Sequence, residues 1–364
     1  MDLTQNALCA LTCYETILGV PLSPYLCYPG LVQPLFGGLI NDTFLLTIPD
    51  PQNTTYAVLQ RVNPLFAMAV QQDIFAITQH LFRKGKKTPL LLPARSGELA
   101  VDLGKQGVWR VLSFIEGHSH ARMEQQLAEP AGELIGSFHA AVSDLEHRFH
   151  FVRPGAHDFA NHLHNLRLTA ERFDRQKQPE VPSDFERLAF TLLAYADEYS
   201  ASVPGPLRIC HGDLKINNLR FDAQKQGICL LDLDTLAYLP LALEMGDALR
   251  SYCNPLGEDV SDTYFELRFL EGVLRGYAKH AAHFITQEER ETLIHGMLRV
   301  SLQLAARFAR DVVEQNYFRY DPHRFPNRAQ HNMVRARGQF AFFKNLLVQK
   351  HLAEKIVREC FSVV

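Results

Sequence analysis

Two short stretches, HGDLKINN (211–218) and LLDLD (230–234), carry side chains able to do chemistry together. Asp213, Lys215 and Asn218 fall on one loop between strands. Asp232 lies on the next strand of a hairpin, so the chain is expected to fold it back towards them. A carboxylate can orient and deprotonate an attacking hydroxyl, oxygen ligands can hold Mg²⁺ on nucleotide phosphates, and a cation can offset the charge of a group in transit. Together these are the donors that phosphoryl transfer needs. A polar loop with a capping Asp and a turn Asn would explain a bare His-x-Asp. It does not explain a lysine two residues on together with an Asp-x-Asp 19 residues later.

The surrounding patterns predict elements that could position these groups. LRF (219–221), a polar turn ending in Gly227, and ICLLDLD (228–234) read as a hairpin. Upstream, apolar runs flank Gly37-Gly38 across 31–48, which reads as another hairpin. Residues 49–55 are a loop, and 56–62 and 108–115 are strands. Val70, Ile74, Ile77 and Leu81 have helical spacing, predicting an amphipathic helix over 67–82. Beyond residue 115 the pattern is mostly helical. Thr286 with Glu289 three residues on forms a capping box at the start of a long helix over 285–315. The expected architecture is α+β: a small β-rich N-terminal lobe (1–115) and a larger, mainly α-helical C-terminal lobe (116–364).

Charge and composition narrow the function classes. The 364 residues carry 37 basic and 40 acidic side chains, a net charge of −3. That lacks the basic excess of bulk nucleic-acid or membrane-surface binders, so neither partner is expected. No stretch approaches the roughly 18–20 apolar residues of a membrane span, and the N-terminus lacks the basic region of a signal peptide. Seven scattered cysteines without a C-x-x-C pair read as reduced thiols of a cytoplasmic protein, with no disulfide framework or zinc site expected. KGKKTP (84–89) lacks the upstream glycine of a phosphate-binding loop, and the paired histidines of GHSH (117–120) and NHLHN (161–165) read as surface residues.

HGDLKINN followed by LLDLDT resembles the catalytic and metal-binding loops of the aminoglycoside phosphotransferase and choline-kinase group, relatives of protein kinases. GGLINDTF (37–44), VLQRVN (58–63), VWRVLSFIEG (108–117), DLDT (232–235), GDALRS (246–251) and LAARF (304–308) are similar to the N-acetylhexosamine 1-kinase branch. The resemblance implies a protein-kinase-like bilobal fold, ATP and Mg²⁺ as cofactors, and transfer of the γ-phosphoryl group to a sugar hydroxyl. The anomeric hydroxyl of an N-acetylhexosamine is the expected acceptor. Carried over by position, Asp213 matches the catalytic base, Asn218 and Asp232 the metal ligands, and Lys215 a lysine near the γ-phosphate. Asp234 stands where protein kinases have the Gly of Asp-Phe-Gly, as a further metal candidate. His211 is expected to brace the loop, and Asp247 to anchor its backbone.

In the N-terminal lobe the resemblance assigns the nucleotide to Gly37, Gly38 and Asn41, and to Phe114 and Ile115. Strand alternation puts Arg61 on a face with Ala57 and Leu59, where a charge needs a partner. The kinase pattern has a Lys there, paired with a helical Glu. Here the helix offers Asp73 inside its apolar arc, so an Arg61–Asp73 pair is expected at the nucleotide. On the acceptor side, Arg307 and Asp311 fall within the apolar stripe of helix 286–315, while Arg299 and Arg310 fall outside it. Arg307 either pairs with Asp311 or hydrogen-bonds the acceptor. Tyr317 either stacks on a sugar or packs in the core, and His157 and Asp158 are further acceptor-side candidates. Two alternatives stay open: a kinase for choline, homoserine or an aminoglycoside, and a nucleotide-binding pseudokinase that serves as an interaction module.

Overall fold

The computed structural model describes residues 3–35, 40–49 and 53–362. The chain divides into two units. One comprises Met1–Gly117 with Asp144–Arg153 and Leu231–Leu236; the other comprises His118–Ser143, Pro154–Leu230 and Ala237–Val364. The first is β-rich and the second mainly helical, the α+β class expected. Two stretches beyond residue 117 thus belong to the β-rich unit.

The β-rich unit contains α1 (Leu3–Leu11), β1 (Thr16–Ile17), β2 (Val20–Pro21), β3 (Val32–Leu35), β4 (Asp42–Ile48) and β5 (Thr55–Val62). After these come α2 (Val70–Arg83), β6 (Leu91–Leu92), β7 (Val101–Asp102) and β8 (Val108–Ser113). An antiparallel sheet runs β3-β4-β5-β8-β6, with β7 also paired to β8. The 31–48 hairpin forms in the register Val32↔Leu46 to Leu35↔Thr43, and its Gly37-Gly38 tip lies outside the described residues.

The two-residue period of the strands separates two chemistries. Phe44, Leu46, Ile48, Ala57, Leu59, Trp109 and Val111 pack with Ala7, Leu11, Tyr14, Ile17 and Leu22 in one apolar core. Residues 3–31 are therefore the cover of that face. The opposite face carries Gln60 and Arg110, cross-strand partners in the β5–β8 ladder. In α2, Val70, Ile74, Ile77, Leu81 and Asp73 are buried and Gln72 is exposed, as helical geometry predicts.

The helical unit contains α3 (Gln125–Val142), α4 (Phe159–Arg172), α5 (Phe185–Ala196), β9 (Leu207–Cys210), β10 (Leu219–Phe221), β11 (Gly227–Leu230) and β12 (Ala237–Pro240). It continues with α6 (Leu241–Tyr252), α7 (Leu267–Ala281), α8 (Gln287–Glu314) and α9 (Arg328–Ser362). β10 and β11 form the expected hairpin, and β9 pairs with β12 across it in sequence. The Thr286–Glu289 capping box opens α8 as predicted.

α8 is buried around most of its circumference, because α4, α5, α6 and α9 all pack on it. A single-stripe reading therefore fails for Arg299. That side chain is buried, donates to the carbonyls of Tyr199 and Ala201, and lies 4.1 Å from the Phe159 ring centroid. The Arg-rich stretch from Arg328 is the start of α9, which continues to Ser362. No described helix is long and apolar enough to cross a membrane, and the seven cysteines are free thiols.

α3 and α7 meet through small residues. A Cβ on Gly276 would fall 2.0 Å from the Glu129 carbonyl oxygen, and one on Gly132 would fall 1.9 Å from the Val273 carbonyl oxygen. Neither backbone can give way without parting the helices, which also removes the burial around them. Gly276→Ala is expected to cost about 2–3 kcal/mol, read as a lower midpoint in urea unfolding of the full chain.

Candidate active site

In the helical unit, the loop after β9 is organised around one acceptor pair. The Glu244 carboxylate, on α6 and 1% exposed, accepts the main-chain N–H of His211 at 2.7 Å and of Gly212 at 2.9 Å. Burial alone would raise its pKa, but the adjacent His139 and these amide donors hold it below the usual carboxylate value. His139 Nε2 lies 3.5 Å from Glu244 Oε1, and its Nδ1 meets the Tyr277 hydroxyl at 3.1 Å. Glu244 thus anchors the loop backbone, the role expected of Asp247. Asp247 instead pairs with Arg250 at 2.9 Å, because three residues further along the helix it points to a different neighbour.

The anchored loop presents Asp213. Its Oδ2 accepts Lys215 Nζ at 2.6 Å and Asn218 Nδ2 at 3.2 Å, while its main-chain carbonyl takes Asn218 Nδ2 at 2.8 Å. Asn218 lies in the single-turn helix Ile216–Asn218 that leads into β10. His211 is fully buried, and its Nδ1 accepts the Asp213 N–H at 3.3 Å, so it braces the turn as expected. Asp213 and Lys215 keep about a quarter of their side-chain surface exposed, at 23% and 26%. The helical unit therefore brings Asp213, Lys215 and Asn218 together: an accessible carboxylate, an ammonium beside it, and an amide whose Nδ2 is spent on that carboxylate, leaving Oδ1 as its donor to a cation.

Asp232 and Asp234 belong to the β-rich unit. Asp232 is partly exposed and caps the single-turn helix Leu233–Thr235 at φ 63°, ψ 61°. A non-glycine residue in this left-handed region carries strain of a kind that gathers at functional sites. Asp234 is almost fully buried and has both oxygens committed. Arg110 Nη1 and Nη2 donate to Oδ1 and Oδ2 at 2.6 and 2.8 Å, and Asn41 Nδ2 donates to Oδ2 at 2.7 Å. Arg110 also donates to Gln60 Oε1 at 2.8 Å and to Gln71 Oε1, on α2, at 3.1 Å. Asn41 in turn accepts the Asn63 N–H at 2.9 Å.

This network changes several expectations. Among the described residues of the unit, the buried cation is Arg110, not Arg61. Arg61 shares a face with Leu59, is about one-third exposed, and faces Asp42 at 3.7 Å. The Arg61–Asp73 pair does not form, because the sheet lies between the Arg61 face and α2. Asp73 is engaged by His147 and His150 instead. Asn41 and Asp234 satisfy each other, so an ion at Asp234 would have to displace a guanidinium. Phe114 and Ile115 line a cavity of about 390 Å³ with Phe82, Lys86, Lys87 and Thr88, and Phe114 packs on Tyr56. Gly37 and Gly38 lie outside the described residues.

On the acceptor side, Arg307 does not pair with Asp311. Asp311 accepts the N–H groups of Asn316, Tyr317 and Phe318 at 2.8–3.0 Å, together with Asn332 Nδ2. It is the cap of the chain leaving α8. Arg307 donates to the Tyr317 hydroxyl at 3.2 Å and lies 5.4 and 5.5 Å from the Tyr317 and Phe318 ring centroids. Tyr317 is half-exposed, outside the core. Burial, and then the charge of Arg307, push the His162 pKa down to about 4, so its ring is neutral beside the guanidinium. Asp158 caps α4 by accepting the Asn161 N–H at 3.1 Å, and His157 lies just before it.

Asn218 and Asp232 each offer a hard oxygen of the kind Mg²⁺ takes, whereas both Asp234 oxygens are committed to Arg110 and Asn41. Arg110, Glu244 and Gln60 were not singled out from sequence. The only signal for Arg110 was a charge in an otherwise apolar strand.

The family model described as "phosphotransferase enzyme family" matches residues 32–283. Among solved structures, the chain is similar to an amicoumacin kinase in complex with AMP-PNP and Ca²⁺, at 13% identity and TM-score 0.61, with 93% of this chain and 92% of that one covered. It is similar to a microcompartment-associated aminopropanol kinase at 16% identity and TM-score 0.60, covering 96% and 99%. A choline/ethanolamine kinase family protein from Mesorhizobium loti gives 15% identity and TM-score 0.57, covering 98% and 100%. At these identities the likeness shows the fold, the protein-kinase-like bilobal one that the sequence implied.

Stranding one member of the Arg110–Asp234 pair leaves a buried charge unpaired. Arg110→Leu is expected to cost about 3–5 kcal/mol in equilibrium unfolding, and Arg110→Leu with Asp234→Leu less than the sum of the two single changes.

Proposed function

This chain belongs to the phosphotransferase enzyme family, and we propose that it is an ATP- and Mg²⁺-dependent small-molecule kinase. It transfers the γ-phosphoryl group to a sugar hydroxyl, with the anomeric hydroxyl of an N-acetylhexosamine as acceptor. The observation that carries this reading is the Asp213 carboxylate, accessible, flanked by Lys215 and Asn218, and fixed by a buried Glu244. A general base must be reachable and must not swing, and this arrangement meets both conditions.

Asp213 takes the proton of the acceptor hydroxyl as that oxygen attacks phosphorus. Lys215 places an ammonium beside the base, where it offsets charge on the transferring group. Asn218 in the helical unit and Asp232 in the β-rich unit would each offer an oxygen to Mg²⁺, which when bound to the nucleotide phosphates supplies charge neutralisation and orientation of the γ-phosphoryl group. Asp234 stays with Arg110 and holds the 231–236 turn. Phe114 and Ile115, just past the end of β8 and partly exposed, would contact the nucleotide. The acceptor is held by Arg307 through its oxygens and by Tyr317 through its ring face. A fixed guanidinium beside a neutral His162 favours an oxygen-rich neutral acceptor over a cationic amino alcohol.

The N-terminal unit (1–115 in outline) would bind the nucleotide, and the helical unit (from 116) would supply base and acceptor site. A phosphate-transfer screen with ATP and Mg²⁺ across N-acetylglucosamine, N-acetylgalactosamine, choline, homoserine and aminoglycosides tests the reading. Turnover is expected with an N-acetylhexosamine, NMR should locate the phosphate on the anomeric oxygen, and Asp213→Asn should lower kcat by about 10²–10⁴. Arg307→Ala should raise KM for the sugar and leave KM for ATP unchanged. Turnover confined to an amino alcohol would overturn the sugar assignment, and ATP binding without any transfer would mark a pseudokinase.

Asp232→Gly separates chemistry from backbone comfort. Glycine removes the left-handed cost of about 1–2 kcal/mol, so Tm is expected to hold or rise while turnover is lost.

A further inference from the structure

Apart from the phosphotransfer residues, the β-rich unit gathers one carboxylate and two imidazoles around a single oxygen. Asp73, in the first turn of α2, is fully buried. Its Oδ1 lies 2.8 Å from His147 Nε2 and 3.0 Å from His150 Nδ1. The main chain of the 144–153 stretch fixes the carboxylate independently of either ring. The His150 N–H donates to Oδ1 at 2.9 Å, and the Phe151 N–H donates to Oδ2 at 3.0 Å. Phe149 stands edge-on against the His147 ring at 5.0 Å between centroids, which limits its rotation.

We infer that Asp73, His147 and His150 form a site for one divalent transition metal of the zinc class. The three ligand atoms all lie within 4.8 Å of one another. The carboxylate-to-imidazole separations of 2.8 and 3.0 Å are hydrogen-bond lengths, and ligands each about 2.0–2.1 Å from a tetrahedral ion stand about 3.3 Å apart, so an ion replacing the shared protons needs these atoms to part by only a few tenths of an ångström. Two imidazole nitrogens and one carboxylate oxygen select zinc, cobalt, nickel or ferrous iron over Mg²⁺ or Ca²⁺, which prefer all-oxygen shells. The outer contacts that a metal carboxylate requires are already present in the two main-chain donors. His150 keeps half its side-chain surface in solvent, so an ion can reach the site and water can complete its shell.

Binding shifts the ring proton of neutral His147 from Nε2 to Nδ1 and that of neutral His150 from Nδ1 to Nε2; a protonated ring releases one proton. The ion would clamp α2 to the 144–153 stretch, and α2 carries the Gln71 that meets Arg110. A second cluster, His139, Cys210 and Glu244, makes no comparable site: it is buried throughout, and its carboxylate holds the loop backbone.

The test uses the full chain, stripped with a chelator and titrated with Co²⁺ while visible absorbance is followed, then with Zn²⁺ while thermal melting is followed. One equivalent of Co²⁺ with ligand-field bands, displaced by Zn²⁺, and a Zn²⁺-dependent rise in Tm are expected. His150→Ala and Asp73→Asn should each weaken binding by more than about tenfold and remove the Tm rise. The exposed position of His150 makes its variant the one that keeps its fold, checked by the melting curve of the stripped protein. Absence of saturable binding to the parent chain, or Co²⁺ affinity unchanged in His150→Ala, would overturn the site and leave a hydrogen-bonded Asp–His cluster.

Discussion

A guanidinium and a carboxylate with almost no exposure set the terms for the β-rich unit. Neither Arg110 nor Asp234 could be buried alone, since an isolated charge in that environment costs several kcal/mol after relaxation. Their bidentate contact solves that problem, and Gln60, Gln71 and Asn41 take the remaining donors and lone pairs. Five residues from β5, α2, β8 and two loops are thereby held in one arrangement. The 231–236 turn is held with them, and so is the left-handed Asp232 at its head. Strain at one residue persists because its neighbours leave no relaxed alternative.

The helical unit reaches the same end by another route. Its loop carries no buried ion pair of its own. Glu244 arrives from α6 and accepts two successive amides, and His139 and Tyr277 from α3 and α7 stand behind it. The close glycine-mediated contact of α3 with α7 sets Tyr277 behind His139, which in turn lies beside the carboxylate. Packing far from Asp213 therefore decides how still Asp213 stands, and the order of a catalytic group is worth orders of magnitude in rate.

The outlines of both units were legible in the chain. Hydrophobic period and turn residues gave the hairpins 31–48 and 219–230, the helix from Val70, and the capping box of α8, because those signals are local. The loop chemistry was legible for the same reason: Asp213, Lys215 and Asn218 sit close enough in sequence that one turn must bring them together. Misreadings arose where a residue had two possible surroundings. Arg61 and Gln60 are adjacent, and a one-residue choice of face decides which meets α2. The sequence could not rank the faces without knowing that residues 3–31 cover one of them. Arg299 was misplaced because a helix covered on several sides has no single apolar stripe.

Sequence alone thus determined the residue types, their local spacing, and with them the phosphotransferase character of the chain. Only the tertiary structure decided the partners: Arg110 for Asp234, Glu244 for the loop, Asp311 for the chain leaving α8, and His147 with His150 for Asp73. The Asp311 cap is short-range, five to seven positions, whereas the other contacts join residues 32 to 124 positions apart. A buried charge specifies only that a partner must exist, whereas its identity follows from which backbones pack against each other and at what register.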